Sequence, residues 1–275
     1  MTGNPPVLRR VKVEGLTVTV AEPPDAASVG ARPPILLVHG MFGGAWYFER
    51  YQRFFAARGY TTHALDLRGH HDSRPVEDLG RVSVADYVED AMTVARDLGR
   101  PIVIGHSMGG LIAQKLAEAD AVVATVLVAA APPRWITPAT LLLLRKQVKH
   151  AWRILRQKPV TGAAEDHLAL SLNRMPPDEA LVALSRLVPE SGRAALELSL
   201  SSTAVDERKV RCPMLGIVGL DDRFIVPRVM RSIARKYDMQ LVEFPGHGHF
   251  IITEPGWEKP AATIADWLDG TIGAA

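Results

Sequence analysis

The sequence holds one cysteine, Cys212, among its 275 residues, so no disulfide can close within the chain and folding needs no oxidising compartment. Cys212, just before Pro213, reads as a small buried apolar residue. No uncharged apolar run approaches the roughly 18 residues of a membrane span. The opening Met-Thr-Gly-Asn-Pro-Pro also lacks the basic start and apolar run of a secretory signal, and a cytoplasmic location is expected. An excess of either charge is missing too. Thirty-two basic against 30 acidic residues leave a net charge of +2, which argues against the basic footprint of a nucleic-acid-binding protein. No cluster has metal-ligand spacing, and no G-x-G-x-x-G follows a strand, so neither a metal nor a cofactor is expected. Repeats and low-complexity tracts are absent. What is present is 47% hydrophobic residues, enough for one large core.

Proline and glycine divide that apolar content into alternating segments. Residues 10–20 alternate Val11, Val13, Leu16, Val18 and Val20 with polar residues, as a half-buried antiparallel start does. A loop at 22–34 leads to Ile35-Leu-Leu-Val-His39, short and continuously apolar like a strand buried on both faces. Helix 45–58, strand 61–66, helix 83–98, strand 101–105, helix 108–119 and strand 123–130 follow. Buried strands alternating with helices specify a doubly wound, mostly parallel sheet, because parallel neighbours need crossover connections. From residue 132 to 205 the pattern is almost wholly helical, broken at Pro159, Pro176-Pro177 and Pro189. Strand 214–218, helix 227–237, strand 240–244 and helix 258–270 resume the alternation. The expected division is a core of residues 1–131 and 206–275 and a helical cap of residues 132–205, inserted between the sixth and seventh strands.

Strand 101–105 runs directly into Gly105-His106-Ser107-Met108-Gly109-Gly110 and then into a helix. This is G-x-S-x-G at a strand-to-helix turn, where a sharp bend projects a hydroxyl above the sheet and glycines leave room for the neighbouring backbone. Together with His39-Gly40, Gly219-Leu-Asp-Asp, Gly248-His249 and Asp66-Leu-Arg-Gly-His70, it resembles the α/β-hydrolase superfamily from about residue 10 to 270. His71 departs from the glycine that relatives often carry.

The resemblance implies a serine hydrolase with Ser107 as nucleophile. A serine needs an imidazole to take its proton and a carboxylate to hold that imidazole's tautomer, in the chain order Ser, Asp, His for this fold. His247 and His249 both follow glycine; the spacing to Glu254-Pro255 in similar proteins points to His249. Asp221 and Asp222 both follow the strand, and the family's glycine, two residues, then aspartate points to Asp222, leaving Asp221 for solvent or Arg223. The oxyanion hole is expected from the N–H groups of Met108 and Met41, with Phe42 second to Met41. His39 is expected to be structural. Phe42, Trp46 and Trp135 are the candidate substrate contacts, with Tyr47 and Phe48 nearby.

Between residues 134 and 164 seven basic residues stand without an acidic one: Arg134, Arg145, Lys146, Lys149, Arg153, Arg156 and Lys158. They form either a solvated helix face or a patch for an anionic surface or an acyl carrier protein. Leu141 to Leu144, Val148, Trp152 and Leu155 give the same stretch an apolar side able to cover a pocket. The expected reaction is cleavage of a carboxylic ester with a hydrophobic acyl part, through an acyl-enzyme. Thioester, lactone or C–C bond hydrolysis on the same residues, and a non-catalytic ligand receptor, stay open. Epoxide hydrolases and haloalkane dehalogenases are disfavoured, because such relatives carry aspartate where Ser107 stands.

Overall fold

The computed structural model describes residues 6–25, 29–30, 32–138 and 151–272. They form an α/β-hydrolase fold around an eight-stranded sheet of order β1-β2-β4-β3-β5-β6-β7-β8. Strands β1 (Leu8–Val13) and β2 (Leu16–Ala21) are antiparallel; β3 (Ile35–Val38), β4 (Thr62–Asp66), β5 (Ile102–His106), β6 (Ala124–Val128), β7 (Met214–Gly219) and β8 (Gln240–Phe244) are mutually parallel. The alternating run at 10–20 is therefore two strands. Glu14 and Gly15 both take positive φ, 48° and 83°, and turn the chain so that Val13 faces Leu16. Two left-handed residues match the twist of a tight hairpin.

Successive side chains of a strand point to opposite faces, and both faces of this sheet are covered. Leu36, Val38 and Val103 pack with α2 (Val84–Asp97), α3 (Met108–Glu118) and α8 (Pro227–Tyr237). Ile35, Leu37, Ile102 and Ile104 face α1 (Glu49–Ala56) and α9 (Glu258–Ile272). Every residue of β3, β5 and β6 is buried, which explains why these strands read as continuous apolar runs. Helix α2 is capped by Ser83, whose hydroxyl accepts from the N–H of Asp86 while the Asp86 carboxylate accepts from the N–H of Ser83, a capping box.

Between β6 and β7 lie four short helices, α4 (Ala151–Leu155), α5 (Ala164–Leu170), α6 (Pro177–Ser185) and α7 (Gly192–Ser199), among the described residues. The insertion is closed by a two-bond bridge in which the N–H of Val160 donates to Glu190 and that of Glu190 to Val160, both at 2.8 Å. No helix among the described residues is long and apolar enough to cross a membrane.

Candidate active site

Strand β5 ends one residue before Ser107, which has φ 55° and ψ −118°. A non-glycine residue enters that region only where its surroundings hold it, at a cost of about 1–3 kcal/mol. Here the N–H of Ser107 donates to the carbonyl of Val128 at 3.1 Å, and its own carbonyl accepts from Gly110 (2.9 Å) and Ala131 (2.8 Å). The flanking glycines are required by contact. A Cβ on Gly105 would lie 2.2 Å from the carbonyl oxygen of Gly109, and one on Gly109 would lie 2.0 Å from that of Val38. Strand β3, the elbow and α3 thus meet backbone to backbone.

The loops after β7 and β8 bring Asp222 and His249 together. His249 Nδ1 lies 2.9 Å from Asp222 Oδ2, and both residues are buried. The other carboxylate oxygen, Oδ1, accepts from the N–H groups of Phe224 and Ile225, each at 2.8 Å. With Oδ1 so occupied, Oδ2 is left to accept from Nδ1, which places the lone pair of the neutral ring on Nε2. Ser107 and His249 line one small cavity with Gly40, Met41, Phe42 and Phe224. A larger cavity of about 120 Å³ opens from Ser107 under the insertion, between Met41, Phe42 and Met108 below and Ile154, Val160, Leu170, Ala195 and Leu198 above. Thr161, His167 and Ser171 add polar groups to its wall.

The competing acidic and basic residues have other partners. Asp221 forms an ion pair with Arg174, the guanidinium Nε at 2.9 Å from Oδ2, and its carbonyl accepts from the side chain of Asn173. Solvent or Arg223 was expected beside Asp221; the carboxylate stays partly exposed, and its ionic partner is Arg174 of the insertion. His247 lines neither cavity and lies 3.5 Å from Glu254; burial, then the Lys259 charge, lowers its pKa.

The loop after β3 passes so close to the elbow that a Cβ on Gly40 would lie 2.8 Å from Ser107 Cβ. Below it, buried His39 contacts the Gly40 carbonyl through Nδ1 (2.7 Å) and accepts the N–H of Leu67 at Nε2 (3.2 Å). Burial, reinforced by nearby His70, lowers its pKa to about 3, so the ring is neutral and structural. The N–H of Phe42 donates to Glu190 Oε2 at 3.2 Å. No hydrogen bond of the Met41 N–H is found among the described residues. Met108 is the first residue of α3, where an N–H has no carbonyl one turn back.

Of the expected substrate contacts, Phe42 lines both cavities, whereas Trp46 and Trp135 are not brought to them. Trp46 lies in a short 3-10 turn, edge-on to Tyr47, with the Arg186 guanidinium 4.6 Å from its ring, and lines a polar hollow beside Asp66 and His71. Trp135 is 92% exposed. Phe48 is fully buried core, while Tyr47 reaches the small cavity. Arg145, Lys146, Lys149, Leu141 to Leu144 and Val148 lie outside the described residues. Of the remaining basic set, Arg134 donates to the Ser202 carbonyl, Arg153 to that of Pro159, and Arg156 stacks over Trp152 at 3.9 Å. Among the described residues no three His, Cys, Asp or Glu side chains converge as metal ligands.

Four residues at the site escaped the sequence reading. His106 Nε2 contacts the His249 carbonyl at 2.9 Å; burial and adjacent His249 push its pKa well below the ordinary value, so the ring is a neutral donor. Glu254 accepts the N–H of Gly248 at 2.7 Å, and burial raises its pKa to about 7. The ring of Phe224 lies 5.1 Å from that of His249. Glu190 is fully buried. The Glu-Pro pair and the x of G-x-S-x-G were visible in sequence as landmarks; nothing in the local pattern around Glu190 marked it.

A model of the alpha/beta hydrolase family matches residues 35–266. The chain belongs to that family. Pyrethroid hydrolase from Sphingobium wenxiniae is 28% identical over 261 residues, 86% of this chain and 87% of that protein. Epoxide hydrolase 3 from Xenopus tropicalis is 37% identical over 83 residues, so the match spans 30% of this alpha/beta hydrolase and 22% of the frog protein. Among solved structures, a thermophilic esterase from Thermogutta terrifontis superposes with a TM-score of 0.71 over 96% of this chain and 99% of its own, at 23% identity, a likeness of fold.

Proposed function

We propose that this alpha/beta hydrolase cleaves carboxylic esters with a hydrophobic acyl part through an acyl-enzyme formed on Ser107. The observation that carries the reading is the 2.9 Å contact of His249 Nδ1 with Asp222, beside a serine on a strained elbow in the same cavity. His249 Nε2 takes the proton of Ser107 as its oxygen adds to the ester carbonyl, and Asp222 stabilises the imidazolium. The N–H groups of Met108 and Met41 hold the oxyanion, a contribution of about 3–4 kcal/mol per donor in comparable sites. His249 then protonates the departing alkoxide. Water, activated by the same ring, releases the acid.

The apolar lining under the insertion suits an acyl chain, and the near full-length likeness to a pyrethroid hydrolase supports an ester over a peptide. The partial likeness to an epoxide hydrolase, over 30% of this chain, is weighed against Ser107, a nucleophile suited to an acyl-enzyme. The domain division at residues 131 and 206 belongs to the same reading, with the insertion as a cap that closes over the acyl chain.

The test is labelling with a fluorophosphonate and turnover of p-nitrophenyl esters of increasing length. The expected result is one label, at Ser107, and a kcat/KM that changes by about 1–3 kcal/mol per discriminating methylene. Full turnover by Ser107→Ala, or absence of both labelling and turnover in the wild type, would overturn the reading. Matched thioesters and lactones run alongside rank the other acyl substrates.

A further inference from the structure

The segment before α7 grips the oxyanion loop from above. The N–H of Val188 donates to the Phe42 carbonyl at 3.0 Å, and the N–H of Phe42 donates to Glu190 Oε2 at 3.2 Å. Both polar groups of one core residue are thus held by the insertion. Phe42 has φ 63°, a conformation that a non-glycine residue keeps only when its neighbours impose it.

Glu190 is itself fixed by a complete set of donors. Oε2 also meets His70 Nε2 at 3.2 Å, and Oε1 accepts from the Tyr87 hydroxyl and the N–H of Ser191, each at 2.6 Å. His70 Nδ1 faces the Arg68 carbonyl at 3.1 Å, so both ring nitrogens face oxygen and a cation opposes the carboxylate. A carboxylate with 0% exposure persists only when so compensated. The two-bond bridge to Val160 anchors the same residue within the insertion. The network therefore runs from the loop after β4 and from α2 through Glu190 to the N–H of Phe42, next to Met41.

We propose that Glu190 is a positioning residue of the oxyanion hole. It takes the N–H of Phe42 out of the reaction and fixes the Met41–Phe42 peptide, and through the backbone of Met41 it sets the preceding Gly40–Met41 peptide, whose N–H faces the oxygen that becomes negative. The hole is then complete only when the insertion is seated. This rests on the serine-hydrolase reading above.

The test compares wild type and Glu190→Gln for ester kcat and KM and for inhibition by butylboronic acid, which mimics the tetrahedral state. Expected is a kcat lower by about 10- to 100-fold, a KM within roughly threefold, and a boronate affinity reduced by the same factor as kcat/KM. A merely structural role would lower the active fraction and leave boronate affinity per active site unchanged. Should Glu190→Gln fail to fold, Tyr87→Phe removes one donor to Oε1 and is expected to lower kcat and boronate affinity together by about 3- to 10-fold. Wild-type values of both in the folded variant would overturn the proposal, provided Ser107→Ala is inactive. Turnover by Ser107→Ala would instead overturn the reading beneath it.

Discussion

Replacing Asp222 by Asn tests the acid–base assignment through geometry alone. In the wild type Oδ1 faces two N–H donors, from Phe224 and Ile225 at 2.8 Å, and Oδ2 faces His249 Nδ1 at 2.9 Å. The asparagine amide has one acceptor end and one donor end. Its oxygen must stay with the two N–H groups, because the reverse orientation aims NH₂ at two donors and leaves both unsatisfied, about 1–3 kcal/mol each. The NH₂ is therefore aimed at Nδ1. His249 then accepts at Nδ1 and carries its proton on Nε2, the tautomer that cannot take a proton from Ser107. The fold survives while the base is disabled. The expected loss in kcat is about 10³- to 10⁴-fold, or roughly 4–5.5 kcal/mol of transition-state stabilisation, read by ester turnover and by the rate of fluorophosphonate labelling, with thermal unfolding as control. Asp221→Asn breaks an exposed pair with Arg174 and should change stability by less than about 1 kcal/mol with turnover intact. Turnover of Asp222→Asn within about tenfold of wild type, in a folded protein, would mean that Asp222 does not set the tautomer of a catalytic His249.

Gly109→Ala puts a Cβ 2.0 Å from a backbone oxygen, so a loss of about 3 kcal/mol or more in denaturant unfolding is expected; a wild-type midpoint would remove the close-approach account of the elbow. Glu254→Gln tests a buried carboxyl whose pKa is raised from 4.5 to about 7. A raised folded pKa adds stability below 4.5 that is lost as pH rises through about 7, so the variant should gain relative to wild type between those limits; an unchanged difference across urea melts at pH 4.5 and 8 contradicts it. Ala195→Leu fills part of the cavity under the insertion and should lower kcat/KM for long acyl esters by about tenfold relative to short ones; an unaltered chain-length series would place the acyl chain elsewhere.

Much of this arrangement was legible in the chain because its causes are local. Continuous apolar runs such as Ile35–Val38 announce strands buried on both faces, and Gly105 and Gly109 flank a turn that admits no Cβ. The family's spacing separated Asp222 from Asp221 and His249 from His247, and the structure puts Asp222 and His249 in contact. Aromatic side chains were harder to place. Trp46 and Trp135 lie near the right segments, yet the direction of a side chain depends on the turn that carries it, and neither reaches the cavity.

The succession of strands and helices along the chain, the elbow and the chemical types available to it follow from local sequence, because each depends on neighbours a few residues away. What meets across the fold depends on how the elements pack. Glu190 stands 148 residues from Phe42 and 120 from His70, and Arg174 stands 47 from Asp221. No local pattern records such pairings. The Glu190 pairings arise because closing the insertion over the sheet buries a carboxylate that must find partners there, whereas Arg174 and Asp221 meet at the exposed rim of the same closure.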